Sequence, residues 1–398
     1  MLDRAIPPDA DEIDLLRAMV RVNSINPALP GSVDGEAALV ALLEAWCREV
    51  GVAARRLPVP GHCDQLLLTH EVDAGRPWLL FDSHLDTVAV GGMTIDPFGA
   101  TLRDGKVWGR GACDTKGTGA AMVNALRRYR VGDAMPNNVA VLLSVDEEVG
   151  MRGIAHFVER DLPALGWRPA AAVVGEPTEL RPVVAHLGCL RWLLTTRGVA
   201  CHSSVPHEGR SAITAMVEVV RTLEAEYFPT LTAEHDHAGR AVGSINVIRG
   251  GEASNIVPAS CRIEIDRRTV PGEDAAAELA AVARLIEPRR VSGEPIGFTQ
   301  EIEVDHPPMG TSHNGPWRAV VRDVLRSAGL PTLELGAPFA THGSYLDAAG
   351  IPTVVLGPGS PHPAHTADEW VTVEQIASGA GLYGRLMRAP LPRAAVTG

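Results

Sequence analysis

The sequence predicts an α/β protein: a mixed, mostly parallel sheet with helices on both faces, plus an inserted α+β segment. Three observations carry this reading. Short apolar runs at Trp78–Phe81, Val139–Val145 and Ala170–Val174 read as strands, and each ends in an acidic or histidine-bearing turn. A Gly/Ala-rich helical stretch, Thr115–Arg130, separates the first two runs, and fully apolar strands joined through a helix belong to a parallel sheet covered on both faces. The pattern then changes near Leu187 and resumes near Pro307.

In chain order, Asp11–Val22 and Glu36–Val50 carry leucines and alanines on one stripe and predict helices. The three strands and the helix Thr115–Arg130 follow. Within the inserted segment, placed at 188–304, Leu190–Arg197 reads as a strand and Ser211–Tyr227 as a helix. Gly243–Ile248 and Cys261–Arg267 alternate like antiparallel strands, and Glu273–Ile286 is a helix. The flanking portions, 1–187 and 305–398, form the other domain. Its remaining elements are a helix at Pro316–Ala328, a strand at Ile351–Leu356 and a helix at Val373–Met387. The tail from Ala389 is expected to fray.

The 398 residues exceed one typical core, which favours two domains. A net charge of −12 opposes a nucleic-acid partner, because phosphate binding wants a basic face. No apolar run approaches the ~20 residues of a membrane span, and the stretch Met1–Glu12 lacks a signal-like apolar core, so a cytoplasmic location is expected. Six cysteines (47, 63, 113, 189, 201 and 261) lack CxxC spacing and read as free thiols of a reducing compartment.

Ligands of parallel sheets bind beyond the carboxyl ends of the strands. Ser83-His84-Leu85-Asp86, Asp146-Glu147-Glu148 and Gly175-Glu176 all follow strands. Residues i and i+2 share a side of a strand, so His84 can ligate a metal while Asp86 hydrogen-bonds its other ring nitrogen. Asp114 lies in the glycine-rich turn 109–117, which lacks the glycine order of a nucleotide loop. It either bridges two metals or simply caps the following helix. Two bare carboxylates, Glu147 and Glu148, need compensation in an apolar setting. A metal supplies it, with Glu148 as ligand and Glu147 as base. His365 offers a second imidazole. His62-Cys63-Asp64 repeats the His-x-Asp spacing and reads as a loop decoy, as do His235, His237, His313 and His362. Together the inventory points to a two-metal hydrolytic site.

This ordered set resembles the co-catalytic zinc amidohydrolases that include acetylornithine deacetylase, succinyl-diaminopimelate desuccinylase, aminoacylase and glutamate carboxypeptidase. The matching motifs are Ser-His-Leu-Asp-Thr-Val (83–88), Gly-Arg-Gly-Ala-Cys-Asp-Thr-Lys-Gly (109–117), Asp-Glu-Glu-Val-Gly (146–150), Gly-Glu-Pro-Thr (175–178), Leu-Gly-Pro-Gly (356–359) and Ala-His-Thr-Ala-Asp-Glu (364–369), in family order over nearly the whole chain. The resemblance implies two zinc ions, with cobalt or manganese as substitutes. Asp114 would bridge them, His84 and Glu176 complete one, and Glu148 and His365 complete the other. Asp86 would orient His84, and Glu147 would be the general base. The insert would match the family's lid and dimer contact. There His202 would reach the scissile carbonyl across a homodimer, and Asn255 and Arg268 would hold a substrate carboxylate. Gly357 would line the substrate side.

The sequence also departs from the family. His342 and Ser344 stand where several relatives carry an acid and then Arg or Asn, which argues against a succinyl-diaminopimelate substrate. The implied reaction is amide hydrolysis of a small N-acyl amino acid, closest to acetylornithine deacetylation, with a carboxypeptidase or dipeptidase reaction as the alternative. Rival readings are a binding protein that keeps its metals without turnover and a two-metal phosphoesterase. Glu147 opposes the first, and the lack of a basic phosphate clamp opposes the second.

Overall fold

The computed structural model describes residues 6–33, 35–131, 135–364 and 366–392. The chain divides into two compact units. One comprises residues up to Val184, Thr311–Leu335 and the chain from Thr341; the other comprises Ala185–Gly310 and Gly336–Ala340.

The first unit is built on an eight-stranded sheet. Its order is Ala53–Leu57, Gln65–His70, Asn138–Ser144, Trp78–His84, Pro169–Val174, Thr353–Val355, Val183–His186 and Leu335–Ala337. The four strands from Asn138–Ser144 to Thr353–Val355 pair in parallel. Val139, Val141 and Leu143 join the main apolar core, and the alternate residues Ala140 and Leu142 are equally buried. Burial on both sides is why these strands read as unbroken apolar runs. Helices Glu12–Val20, Lys116–Tyr129, Gly315–Ser327 and Val373–Leu386 supply the covering side chains, among them Leu16, Met122, Trp317 and Ile376.

The flanking strand Gln65–His70 pairs antiparallel with both of its neighbours. Neither it nor Ala53–Leu57 was expected from the sequence. Ala53–Leu57 is an edge strand with Arg55 and Arg56 exposed, so no apolar run marks it. The C-terminal tail begins ordered rather than frayed: Asn137 Nδ2 donates to the Ala389 carbonyl at 2.8 Å. Residues 393–398 lie outside the described residues.

The second unit holds a four-stranded antiparallel sheet, ordered Val242–Gly250, Ser260–Arg268, Cys189–Arg197 and Gly297–His306. Trp192, Ile263 and Ile265 pack with Met216 and Val219 of helix Ala212–Thr222 and with Val282 and Ile286 of helix Ala275–Ile286. The first of these helices continues as a π-helical stretch, Leu223–Tyr227. The second starts at Ala275 rather than Glu273, because Asp274 caps it and Glu273 turns away to Arg267, 2.8 Å distant. The strand Gly297–His306 was missed in the sequence because more than half of it is exposed, and polar residues, among them Glu301, Glu303 and Asp305, interrupt any apolar run.

Candidate active site

Strand register brings the acidic turns together. Trp78–His84 and Asn138–Ser144 run in parallel with His84 beside Ser144, and the Leu85 N–H donates to the Ser144 carbonyl at 2.9 Å. The two chains therefore leave the sheet side by side. On the other flank, the Gly175 N–H donates to the Asp82 carbonyl at 2.8 Å, which delivers Glu176 to the same sheet end.

Asp86 joins these turns. Its buried carboxylate accepts the N–H of Glu147 at 2.9 Å, the N–H of Glu148 at 3.0 Å and Asn26 Nδ2 at 2.8 Å. His84 Nδ1 lies 3.0 Å from the Asp86 backbone carbonyl and 3.4 Å from its carboxylate. The expected carboxylate contact is thus the longer one, because the amides and Asn26 draw the carboxylate away. An Nδ1 that donates to this carbonyl directs Nε2 toward Asp114, whose Oδ1 is 3.1 Å away. Burial tends to raise the Asp86 pKa, but His84 and the Asn26 and Glu147 donors outweigh it and hold the group at about 2.

Asp114 sits on a turn that Glu369 clamps. The Glu369 carboxylate accepts the N–H groups of Gly111 (2.9 Å), Cys113 (2.7 Å) and Asp114 (3.0 Å), and Arg110 Nη1 donates to it at 2.8 Å. Gly111 has φ +80, and a Cβ there would meet Thr87 at 2.7 Å, so the turn requires glycine. Asp114 is not a helix cap. The residue preceding the helix is Thr115, whose hydroxyl donates to the His84 carbonyl at 3.1 Å. Lys116 is fully buried, donates to the Val22 carbonyl at 2.9 Å, and burial lowers its pKa to about 7.

Each of His84, Asp114 and Glu148 presents a donor atom within 4.8 Å of the others. Around them the carboxyls of Glu147 and Glu176 are pushed well above the carboxylate range. Burial is the main cause for both; Glu148 adds for Glu147 and Asp114 for Glu176, while His84 opposes. Burial pulls the His84 imidazole down, yet hydrogen bonds to Asp114 and Asp86 raise it well above its usual value. Repelling carboxylates around one imidazole call for a cation, and hard oxygens with a histidine nitrogen suit a divalent ion that displaces the imidazole proton. The residues present therefore fit a metal centre. His365 lies outside the described residues.

Gly357 is buried beneath Glu176. A Cβ there would meet the Glu176 carbonyl at 2.5 Å, and the Gly357 N–H and C=O are both engaged by Thr178. In the second unit, His202 and Ile256 pair across a short ladder, and the Ser203 N–H donates to the Asn255 carbonyl at 2.9 Å. This brings His202 and Asn255 into neighbouring turns. His202 is exposed, with Nδ1 2.7 Å from Ser204 Oγ. Arg268 ends a strand and donates from Nε to Asp266 at 2.9 Å, whereas Arg267 is fully buried and pairs with Glu273 and Glu278.

Several residues escaped the sequence reading. Glu369 had a signal, standing in the Ala-His-Thr-Ala-Asp-Glu stretch. Asn26, which links Asp86 to Asp146 Oδ1 at 2.9 Å, had none. His342 is buried, with Nδ1 2.8 Å from Asp82 Oδ2 and 3.2 Å from Ser144 Oγ, and its ring meets that of His84 edge-on at 6.5 Å. His62 does lie in a loop, as read from the sequence, but its side chain is only 4% exposed and faces Glu36.

A sequence profile for peptidase family M20/M25/M40 matches residues 80–389, a span containing His84, Asp114, Glu148, Glu176 and His365. An acetylornithine deacetylase from Erwinia tasmaniensis is 31% identical over 365 residues, covering 90% of this chain and 92% of that protein. Among solved structures, the aminopeptidase PepT from Bacillus cereus superposes with a TM-score of 0.75 at 21% identity, covering 97% of this chain and 99% of that one. An M20 family metallo-carboxypeptidase from Sulfolobus solfataricus gives 0.74 at 17% identity, over 95% and 99%. At those identities the two structures speak for the fold alone, while the profile and the deacetylase carry the relationship. The chain belongs to peptidase family M20/M25/M40, metal-dependent hydrolases of amide and peptide bonds.

Proposed function

We propose that this protein hydrolyses the amide bond of a small N-acyl amino acid bearing a free α-carboxylate, in an acetylornithine deacetylase-like reaction. The observation that carries this is the tie from Asp86 to the backbone of Glu147 and Glu148, which sets the half-buried Glu147 beside a metal-ligand set. The 31% identical relative supports the acyl amino acid class.

His84, Asp114, Glu148, Glu176 and His365 are the proposed ligands of two zinc ions, with cobalt or manganese as substitutes. When bound, the ions supply Lewis acidity and bring the pKa of water from ~15.7 toward ~7. Glu147 takes the proton of the attacking water and returns it to the leaving amine. His202 donates to the oxygen on which charge develops, a contribution of roughly 3 kcal/mol for such donors. Arg268 and Asn255 hold the α-carboxylate, Arg268 by a planar fork that Lys would not reproduce. Gly357 lines the substrate side.

The proposed assembly is a homodimer through the second unit. Val242–Gly250 is an edge strand with Ile248 57% exposed, and helix Ala212–Thr222 leaves Val217 59% exposed, apolar surface that a second copy would cover. The six free thiols support a cytoplasmic setting. No helix among the described residues is long and apolar enough to cross a membrane.

A panel of N-acetyl amino acids, N-succinyl amino acids and dipeptides, assayed with zinc or cobalt, tests the reading. Highest kcat/KM on N-acetyl substrates is expected. Preference for dipeptides would favour the second reading, a dipeptidase or carboxypeptidase, which the match to a peptidase family also accommodates. Desuccinylation ranks below both, because Ser344 is buried, donates to the Thr341 carbonyl and brings no positive charge.

A further inference from the structure

We propose that Glu36, His62 and Cys63 form an additional metal site for a single zinc-class divalent cation, separate from the His84, Asp114 and Glu148 donors. Glu36 lies in the first turn of helix Gly35–Glu49, and His62 and Cys63 lie in the turn that precedes strand Gln65–His70. Their carboxylate, imidazole and thiol donors all fall within 4.8 Å of one another. His62 Nε2 is 3.4 Å from Glu36 Oε2 and 3.9 Å from Asp146 Oδ1. A tetrahedral ion with bonds of about 2.0–2.3 Å separates its donors by about 3.3–3.8 Å, so a small inward movement of Cys63 completes three corners and Asp146 stands near the fourth.

The polar accounting is the second observation. Among the described residues, both ring nitrogens of His62 and Glu36 Oε2 find no hydrogen-bond partner, at side-chain exposures of 4% and 2%. Buried groups in this state cost free energy, and native proteins contain few of them. Their 3.4 Å approach lacks hydrogen-bond geometry. One cation would engage the oxygen and one nitrogen together. A donor set with sulfur and nitrogen selects zinc or cobalt over magnesium or calcium.

Such an ion would brace the catalytic turn. Glu36 Oε1 accepts the Asp146 N–H at 3.2 Å, and Asp146 holds the left-handed conformation, φ +61. Asn26 then connects Asp146 to Asp86, which holds the amides of Glu147 and Glu148.

The test uses the full chain, stripped by chelator and reloaded with Co²⁺, and reads metal content and absorbance rather than turnover. Its outcome is therefore separate from whether the proposed amidase reading holds. The wild type should show a near-ultraviolet sulfur-to-cobalt charge-transfer band. The band should vanish in Cys63→Ser and persist in Cys113→Ser, whose thiol lies beside Asp114. Cys63→Ser and His62→Asn should each bind one ion fewer per chain than wild type after Zn²⁺ loading. No band in the wild type, a band that follows Cys113 instead, or equal zinc content in wild type and His62→Asn would overturn the site and leave His62 and Glu36 as a plain buried contact.

Discussion

The Asp86 carboxylate accepts the Glu147 N–H at 2.9 Å, and the next N–H along the chain, that of Glu148, at 3.0 Å. One side chain at the end of one strand thus sets the backbone of the turn at the end of its neighbour. Asp86→Ala should lower kcat by about 10–100-fold, the range for residues that support metal ligands. A near-native kcat with unchanged metal content would remove Asp86 from the machinery.

Glu147→Gln should retain the metals and lose turnover. The amide matches the shape of the carboxylate and cannot accept the proton, so a fall in kcat of at least ~10²-fold is expected. Metal analysis and kcat on the same preparation check this, and retained turnover would rule out the base.

Asp114→Ala should deplete bound metal more than any other single ligand change, because Asp114 is the proposed bridge and would serve both ions. Glu369→Gln should do so more mildly, by loosening the turn that carries Asp114. Metal content after dialysis is the measurement. Two ions still bound to Asp114→Ala would exclude bridging.

His202→Ala should lower kcat and leave metal content unchanged. If His202 serves the partner's site, mixing His202→Ala with Glu147→Gln chains should restore activity once subunit exchange is demonstrated, because each heterodimer holds one intact site. Heterodimers without activity would confine His202 to its own chain.

His186 supplies a pH prediction. The ring is fully buried, and burial lowers its pKa to about 4 from 6.5. Between those values the unfolded chain holds more protons than the native one, so stability is complete above pH 6.5 and declines as pH falls toward 4. The span corresponds to at most about 3 kcal/mol. Denaturant melts should show a shallower loss between pH 7 and 5 in His186→Gln than in wild type. Parallel losses would assign the acid sensitivity elsewhere.

The sequence alone determined the parallel heart of the sheet, because strands buried on both faces must be apolar along their central residues, as Val139–Leu143 and Ala171–Val174 are. It also marked His84, Asp86, Glu147, Glu148 and Glu176 as candidates, because a charged residue directly after an apolar strand leaves a local mark, and Asp114 through its glycine-rich turn. Edge strands such as Ala53–Leu57 and Gly297–His306 carry no such mark, since exposed side chains tolerate any polarity. The supporting contacts were settled only in three dimensions. Asn26 reaches Asp86 across 60 residues of chain, and Glu369 reaches the Asp114 turn across 255. Asp82 and His342 pair across 260. A hydrogen bond between distant segments depends on strand register and helix packing, which spacing along the chain does not record.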